Sequence, residues 1–493
     1  MTLTALLDSA CARFGAATAL RDADGTLTYA GLDRQAAAVA AALRGAGTGR
    51  DEPVVVMVSN RATDFAAFLG AWRAGAVAVP VHRSSPPAVV AAFVDRTGAR
   101  CLVESSAAPV APGFVADGVL QRADRPPPAP RPLLAGAALV IFTSGSTGEP
   151  KGAVLSHAAF ARKLEAIDSL LAFPEGGHTL LVLNITFSFG LWVSLLTLAR
   201  GGTLHVEPRF TPEGFATALA TQPIERVGVV PTMMRAYLAA FPEDGGTGAA
   251  RAPALRRILI GGEALGGPLS TRIRRAFPGA GLTDIFGLTE TSTSDFFLMP
   301  DEHDAHPGCI GRPSPEVEFR IADAGDRPAP AGTTGELQIR TPCIMNGYLD
   351  APDITAKAFD GEWFRTGDLA RVTPAGMVEL VGRAKEIVSR GGMKIAPLEV
   401  EHALSAHPDV AAALATGLPD AVTGERLCAL VVPRAGATPT AQALRAFLGT
   451  RIERYKIPDA FHVGDALPLG RTGKADRGAL RLALEAGAFA PLA

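Results

Sequence analysis

The sequence predicts an α/β protein, with a large N-terminal domain of βα-built sheets covered by helices and a small, mobile α+β C-terminal domain. Three observations predict it. Short apolar runs alternate with helix-period segments through the first three quarters of the chain; the texture changes to shorter strands after about Gly335; and a loop rich in Gly, Ser and Thr, "TSGSTGEPKG" (143–152), directly follows an apolar run. Alternating strand and helix patterns are the mark of βαβ units, whose parallel sheets need helices on their faces. With 493 residues, 48% of them hydrophobic, the chain can bury more than one core.

Taken in order, "MTLTALLDSACARFG" lacks the basic start and long apolar stretch of a signal peptide and reads as a short amphipathic helix. "EPVVVMVSN" then "DFAAFLGAWRAG", and "VAVPV" then "PAVVAAFVDRTGA", are strand–helix pairs, and "RCLVES" is a further strand. "RPPPAPRP" (125–132) has too many prolines for regular structure and is an extended connector. The uncharged run Thr179 to Ala199 has the length of a membrane span, but Asn184, Thr186, Ser188 and Gly190 interrupt it. It is expected to be a strand leading into a buried helix, with no membrane span. The alternation resumes with "RVGVVP", "MMRAYLAAF", "RRILIGGEA", "STRIRRAF" and "GLTDIFGLTE"; later come the strands "GELQIR" and "MVELVGR" and a helix near "PLEVEHALSAH".

A formal net charge of -2 argues against a nucleic-acid partner, which requires a basic face. The five cysteines are scattered, none in CxxC spacing, so neither a disulfide framework nor a zinc site is indicated, and a cytoplasmic location is expected. Seven of the 47 basic residues are lysine, so a lysine inside a motif carries weight.

Five motifs carry chemistry. In the opening loop, the backbone N–H groups of Gly145, Gly148 and Gly152, with hydroxyls from Thr143, Ser144, Ser146 and Thr147 and the charge of Lys151, form a donor set suited to phosphate oxygens. The alternative is a plain Gly/Ser surface loop, because the spacing is not that of a P-loop. In "DIFGLTETS" (284–292), Phe286 can stack on a purine and Glu290 can hold a magnesium ion that bridges phosphates. In "EWFRTGDLARV" (362–372), Asp368 at a glycine turn can accept both hydroxyls of a ribose. "VGRAKEIVSRGGMKIAPLEVE" (381–401) and "PLGRTGKADR" (468–477) complete the set.

Together and in this order, these motifs resemble the adenylate-forming (ANL) superfamily of acyl- and aryl-CoA synthetases, peptide-synthetase adenylation domains and luciferases, over essentially the whole chain. The resemblance implies ATP, magnesium and a small-molecule carboxylic acid as ligands, with coenzyme A as acceptor; an acyl carrier protein or an amine remains the alternative. It implies that Thr143 to Lys151 grip the β- and γ-phosphates and that Gly262, Glu263 and Ala264, with Asp284, Phe286 and Gly287, surround the adenine. Thr289 would touch the α-phosphate, Glu290 the magnesium, and Asp368 and Arg383 the ribose. Lys474 matches the catalytic lysine. Lys385 matches the hinge, giving domains 1–384 and 385–493, and Gly391 and Gly392 would line a channel for the incoming thiol. The oligomeric state, monomer or homodimer, stays open.

For the acid, amino-acid-activating members commonly carry "FDxS", whose aspartate pairs with the substrate ammonium. Here "FSFGLWV" (187–193) puts Gly190 at that place, and Phe187 stands where many CoA synthetases have histidine. An unpaired buried ammonium costs several kcal/mol, so an α-amino acid is not expected. Phe187, Phe189, Trp192 and Met233, with Gly190, Gly261 and Leu288, would wall a pocket for a hydrophobic or aromatic acid, although aromatics at helical spacing equally belong in a core. About twenty residues follow Lys474, too few for a carrier segment, and a stand-alone activating enzyme is expected.

Overall fold

The computed structural model describes residues 1–104, 114–143, 150–241, 252–470 and 474–492. Two large sheets and one small sheet organise it. The first has fourteen strands. Six neighbours in it run parallel: Gly281–Gly287, Arg257–Gly261, Arg226–Val229, His178–Leu181, Thr203–Val206 and Thr18–Asp22. Beyond Gly281–Gly287 the sheet continues antiparallel through Ser294–Leu298, Cys309–Pro313, Val378–Arg383 and Trp363–Val372.

The second sheet has eight strands around a parallel centre of Ala137–Thr143, Val77–His82, Pro53–Val58 and Cys101–Val103. Val54, Val55, Val56 and Val58 are each 0% exposed. That continuous β-branched run is what a strand covered on both faces requires. Helices fill the space between these two sheets. His157–Leu171 starts at Ser156, whose Oγ accepts the Ala159 N–H at 3.1 Å and so caps the first turn.

From Val388 onward a six-stranded sheet and the helices Pro397–Ser405, Ala441–Leu448 and Arg477–Glu485 form a separate small unit. Its core of Val388, Ile395, Leu404, Leu427, Leu444 and Phe461 draws on no residue before 388. The α/β class with a large and a small domain is therefore as the sequence implied. Residues 124–131 carry no regular structure, and the Thr179–Ala199 run resolves into the strand His178–Leu181 and the helix Ser188–Ala199. Among the described residues, no helix is long and apolar enough to cross a membrane.

Candidate active site

The site lies at the carboxyl ends of the parallel strands, where open α/β sheets bind ligands. Arg257–Gly261 and Gly281–Gly287 are adjacent, with Gly261 beside Ile285. A Cβ on Gly261 would stand 2.4 Å from the Ile285 carbonyl oxygen, so only glycine permits this approach. Gly262 follows at φ +86°, in the left-handed region. The Glu263 carboxylate accepts from Thr232 Oγ1 at 2.5 Å and from Arg235 Nη1 at 3.2 Å, both on the helix Pro231–Ala240. Glu263 thereby ties the turn to that helix.

On the neighbouring strand, Asp284 is buried, and burial pushes its carboxyl up to about 7. Phe286 is half-buried and meets Phe296 edge-on at 6.0 Å. Past Gly287 the chain turns through a short 3-10 segment, Thr289–Thr291. There Glu290 Oε1 accepts from the Tyr348 hydroxyl at 2.8 Å, and the Glu290 carbonyl accepts from the Met345 N–H at 2.7 Å. Burial first, and the Glu290 carboxylate second, raise the Tyr348 phenol and keep it protonated. Lys151 Nζ lies 5.4 Å from the Tyr348 ring centre, so Tyr348 touches both Glu290 and the residue that follows the opening loop.

Ser144, Gly145, Ser146, Thr147 and Gly148 fall outside the described residues. Their flanks are placed: Thr143 ends one strand, Lys151 opens the next, and the two are antiparallel partners. Gly152 pairs with Phe142 inside that ladder, and a Cβ there would meet Val140 at 2.9 Å. It is therefore a packing glycine and not part of the open donor set expected from the loop.

Asp368 and Arg383 are register partners on antiparallel strands, and Arg383 Nε donates to Asp368 Oδ1 at 2.9 Å. Arg383 is half-exposed, whereas the Asp368 side chain is 5% exposed, and its Oδ2 has no hydrogen-bond partner. A buried carboxylate oxygen without a donor is costly, and a ribose hydroxyl is a donor of the right kind. The Arg383 guanidinium, raised chiefly by Asp368, also feels Glu290.

Lys474 completes the site from the small domain. A Cβ on Gly262 would lie 3.0 Å from both Lys474 Nζ and Cε, so the amine rests directly over the Gly261–Gly262 turn. Burial lowers its pKa, Glu263 opposes that shift, and Arg383 adds to it. Lys385 is exposed in the turn Ala384–Glu386, between the last strand of the large domain and the small core. Gly391 and Gly392 form a hairpin tip at φ +55° and +83°, and a Cβ on either would meet nothing within 4 Å. The structure thus brings Lys474 to Gly262, Glu263 and Arg383 and leaves the glycine hairpin facing open space.

Of the side chains expected to wall an acid pocket, Phe187, Phe189, Met233 and Leu288 are half-buried. Trp192 corrects the sequence reading. It is 0% exposed in the core, stacked on Phe189 at 5.8 Å and edge-on to Phe173 at 6.2 Å, so it is a core side chain and lines no pocket. A Cβ on Gly190 would sit 2.8 Å from the Asn184 carbonyl oxygen, which leaves no room for any side chain there.

Sequence reasoning missed Tyr348, Lys163 and Asp295. The Tyr348 contact spans 58 residues and left no local trace. Lys163 did leave one, since it falls on the apolar stripe Phe160, Leu164, Ile167 of its helix. Its Nζ donates to Asp295 Oδ1 at 2.8 Å, both side chains being 0% exposed.

These residues fit an adenine nucleotide with magnesium. Among the described residues no group of three His, Cys, Asp or Glu converges as a metal cage. A single carboxylate, Glu290, beside a triphosphate matches how magnesium is held when phosphates supply most of its ligands.

A two-domain α/β fold with a nucleotide site at its strand ends and a lysine delivered from the small domain defines the adenylate-forming class. The model of the AMP-binding enzyme family matches residues 7–349, and that of the AMP-binding enzyme C-terminal domain matches 399–474. The chain belongs to this family, the ANL adenylate-forming superfamily, and is an AMP-forming ligase of the acyl-CoA synthetase type. It is 33% identical over 476 residues to feruloyl-CoA synthase of Amycolatopsis sp, covering 94% of this chain and 95% of the relative. It is 32% identical over 480 residues to sulfoacetate–CoA ligase of Cupriavidus necator, with 92% of each covered. The solved amide bond synthetase McbA of Marinactinospora thermotolerans superposes with a TM-score of 0.82 at 26% identity, over 98% of this chain and 99% of that one.

Proposed function

We propose that the protein condenses a hydrophobic or aromatic carboxylic acid with ATP to an acyl-adenylate, releasing pyrophosphate, and then passes the acyl group to the thiol of coenzyme A. The observation that carries this reading is the Lys474 amine over the Gly262 turn, beside Asp368 and Arg383. In the first step a carboxylate oxygen attacks the α-phosphorus, and the bond to the bridging oxygen of the leaving pyrophosphate breaks. Two anions must meet, and charge builds on the transferred group. Lys474 offsets that repulsion from the face where carboxylate and phosphate approach. Asp368 accepts the ribose hydroxyls on its otherwise unpartnered Oδ2, Arg383 orients Asp368, and Phe286 packs against the base. Thr143 and Lys151 hold the triphosphate tail with the loop between them. Glu290 would hold a magnesium ion, which would supply charge screening for the leaving pyrophosphate.

For the second step, a turn of the small domain about Lys385 withdraws Lys474 and presents the Gly391–Gly392 hairpin as a wall of the thiol channel. A short exposed turn between two separate cores is what such a motion needs. The thiol then gives its proton to solvent as its sulfur bonds to the acyl carbon, and the acyl carbon–oxygen bond breaks, AMP leaving with that electron pair.

The lack of room at Gly190 supports exclusion of α-amino acids, since no carboxylate can stand there to pair an ammonium. The half-buried Phe187, Phe189, Met233 and Leu288 support an apolar acid, in keeping with the feruloyl-CoA synthase relative. A second reading passes the acyl group to an amine or a carrier protein; the likeness to an amide bond synthetase favours the amine. The test is pyrophosphate release with ATP and magnesium across aryl, short-chain and medium-chain acids, each with and without coenzyme A. A thioester product with one acid class supports the first reading. Acid-stimulated release that coenzyme A leaves unchanged supports the second. No acid-dependent release refutes both.

A further inference from the structure

The buried ion pair Lys163–Asp295 lies outside the nucleotide site, yet its partners lead straight to it. Asp295 Oδ1 takes the Lys163 ammonium at 2.8 Å, and Oδ2 takes the Thr291 hydroxyl at 2.5 Å. Thr291 Oγ1 also lies 3.0 Å from the Leu288 carbonyl, so both ends of the turn that carries Thr289 and Glu290 are gathered on one side chain. The turn needs holding. Ser292 closes it at φ +72°, a conformation a non-glycine residue adopts only when its surroundings impose it. Ser292 Oγ donates to the Cys343 carbonyl at 2.6 Å, which pins the far side.

A fully buried ion pair is poor value for stability alone, because the cost of desolvating both ions matches or exceeds their attraction. An apolar pair of similar volume would fit the same stripe of Phe160, Leu164 and Ile167. What the pair does supply is direction. Its two oxygens fix the Thr291 hydroxyl relative to the helix His157–Leu171, which begins directly after the strand Lys151–Ser156 behind the phosphate loop. The phosphate-side strand and the Glu290 turn are thereby locked to one another.

We propose that Lys163 is a positioning residue for adenylation: through Asp295 and Thr291 it sets the Glu290 turn so that the carboxylate meets magnesium on the ATP phosphates. This rests on the reading of Glu290 given above. Residues that orient a metal-binding carboxylate typically control about 10- to 100-fold in metal affinity.

The experiment measures the dissociation constant of ATP by calorimetry with and without magnesium, for wild type, Lys163→Met, Thr291→Val and, as a control, Leu219→Ala in a separate core cluster. Lys163→Met is expected to shrink the magnesium-dependent gain in ATP affinity by about tenfold or more, and Thr291→Val by about three- to tenfold, with a melting temperature lowered no further than that of the Leu219→Ala control. Leu219→Ala is expected to lower the melting temperature and keep the full gain. Should Lys163→Met fail to fold, Thr291→Val decides alone. A magnesium gain in Thr291→Val equal to that of wild type overturns the inference, as does an equal loss in Leu219→Ala, which would mean general loosening. Absence of any magnesium effect in wild type overturns the reading of Glu290 itself, and the inference with it.

Discussion

Gly262→Ala tests the geometry at the centre of the site with one methyl group. The new Cβ would stand 3.0 Å from Lys474 Nζ and Cε, inside ordinary contact distance, so the amine must retreat. The end of a lysine moves easily, and the steric cost to folding is small. The backbone cost is larger, because φ +86° is unfavourable for alanine by about 1–2 kcal/mol. For a domain of this size that lowers the melting temperature by about 2–8 °C. The catalytic cost comes from displacement, since moving a charged group about 1 Å off its position costs on the order of 100-fold in rate. Acid-dependent exchange of pyrophosphate into ATP should therefore fall by about 10- to 100-fold. Thiolysis of a preformed acyl-adenylate, in which Lys474 has left the site on the proposed reading, should change little. Exchange at the wild-type rate in a folded Gly262→Ala would refute the placement of Lys474 as the catalytic geometry. An equal fall in both half-reactions would point instead to damaged nucleotide binding.

Lys474→Met should lower exchange by about 10²- to 10³-fold and leave thiolysis largely intact, measured with the same pair of assays. Asp368→Asn keeps an oxygen for Arg383 but turns the unpartnered position into a donor, and the loss of a charged hydrogen bond should raise the dissociation constant of ATP about tenfold, read by calorimetry. Asp284 is raised by burial from 3.8 to about 7. A raised folded-state pKa means that its contribution to stability is fully present below pH 3.8 and is lost as pH rises through about 7. Asp284→Asn, which stays neutral, should thus gain in melting temperature relative to wild type as pH rises from about 4 to about 7 and keep that gain above; parallel curves for the two proteins from about 4 to about 7 would exclude the raised titration of Asp284.

The order of strands and helices was legible because it rests on local periodicity. Val54 to Val58 announces a doubly covered strand, and "GELQIR" announces its own edges. Lys474, Asp368, Arg383 and Glu290 were legible as members of a motif set, and the fold gathers them. Trp192 was not, because the helix Ser188–Ala199 is apolar on every side and periodicity cannot say which face meets ligand. Glu263 was read as part of the adenine wall, but its carboxylate turns to Thr232 and Arg235, some thirty residues upstream in sequence. Lys163–Asp295 joins positions 132 residues apart, so its existence is a property of the fold, although the misplaced lysine on an apolar stripe hinted at a partner.

The small domain holds its lysine firmly and the large domain scarcely holds the small domain's lysine at all. Gly470 N–H bonds back to the Lys474 carbonyl at 2.8 Å, and Leu469 and Ala475 form an isolated bridge. Three residues on, Arg477 reaches Glu386 at 2.8 Å and Glu401 at 2.7 Å, tying the segment after Lys474 to the turn Ala384–Glu386. On the proposed reading, a rotation about Lys385 carries Lys474 as part of one body. On the other side, the carboxylate Lys474 feels, Glu263, is already engaged by Thr232 and Arg235, while Arg383 repels it. Bringing the ammonium over Gly262 thus costs desolvation with little return from the protein itself. Phosphate charge would supply the return. On the proposed reading, ATP favours the orientation that delivers Lys474, and departure of pyrophosphate removes most of that attraction, so the charge lost in the first half-reaction is what releases the small domain for the second.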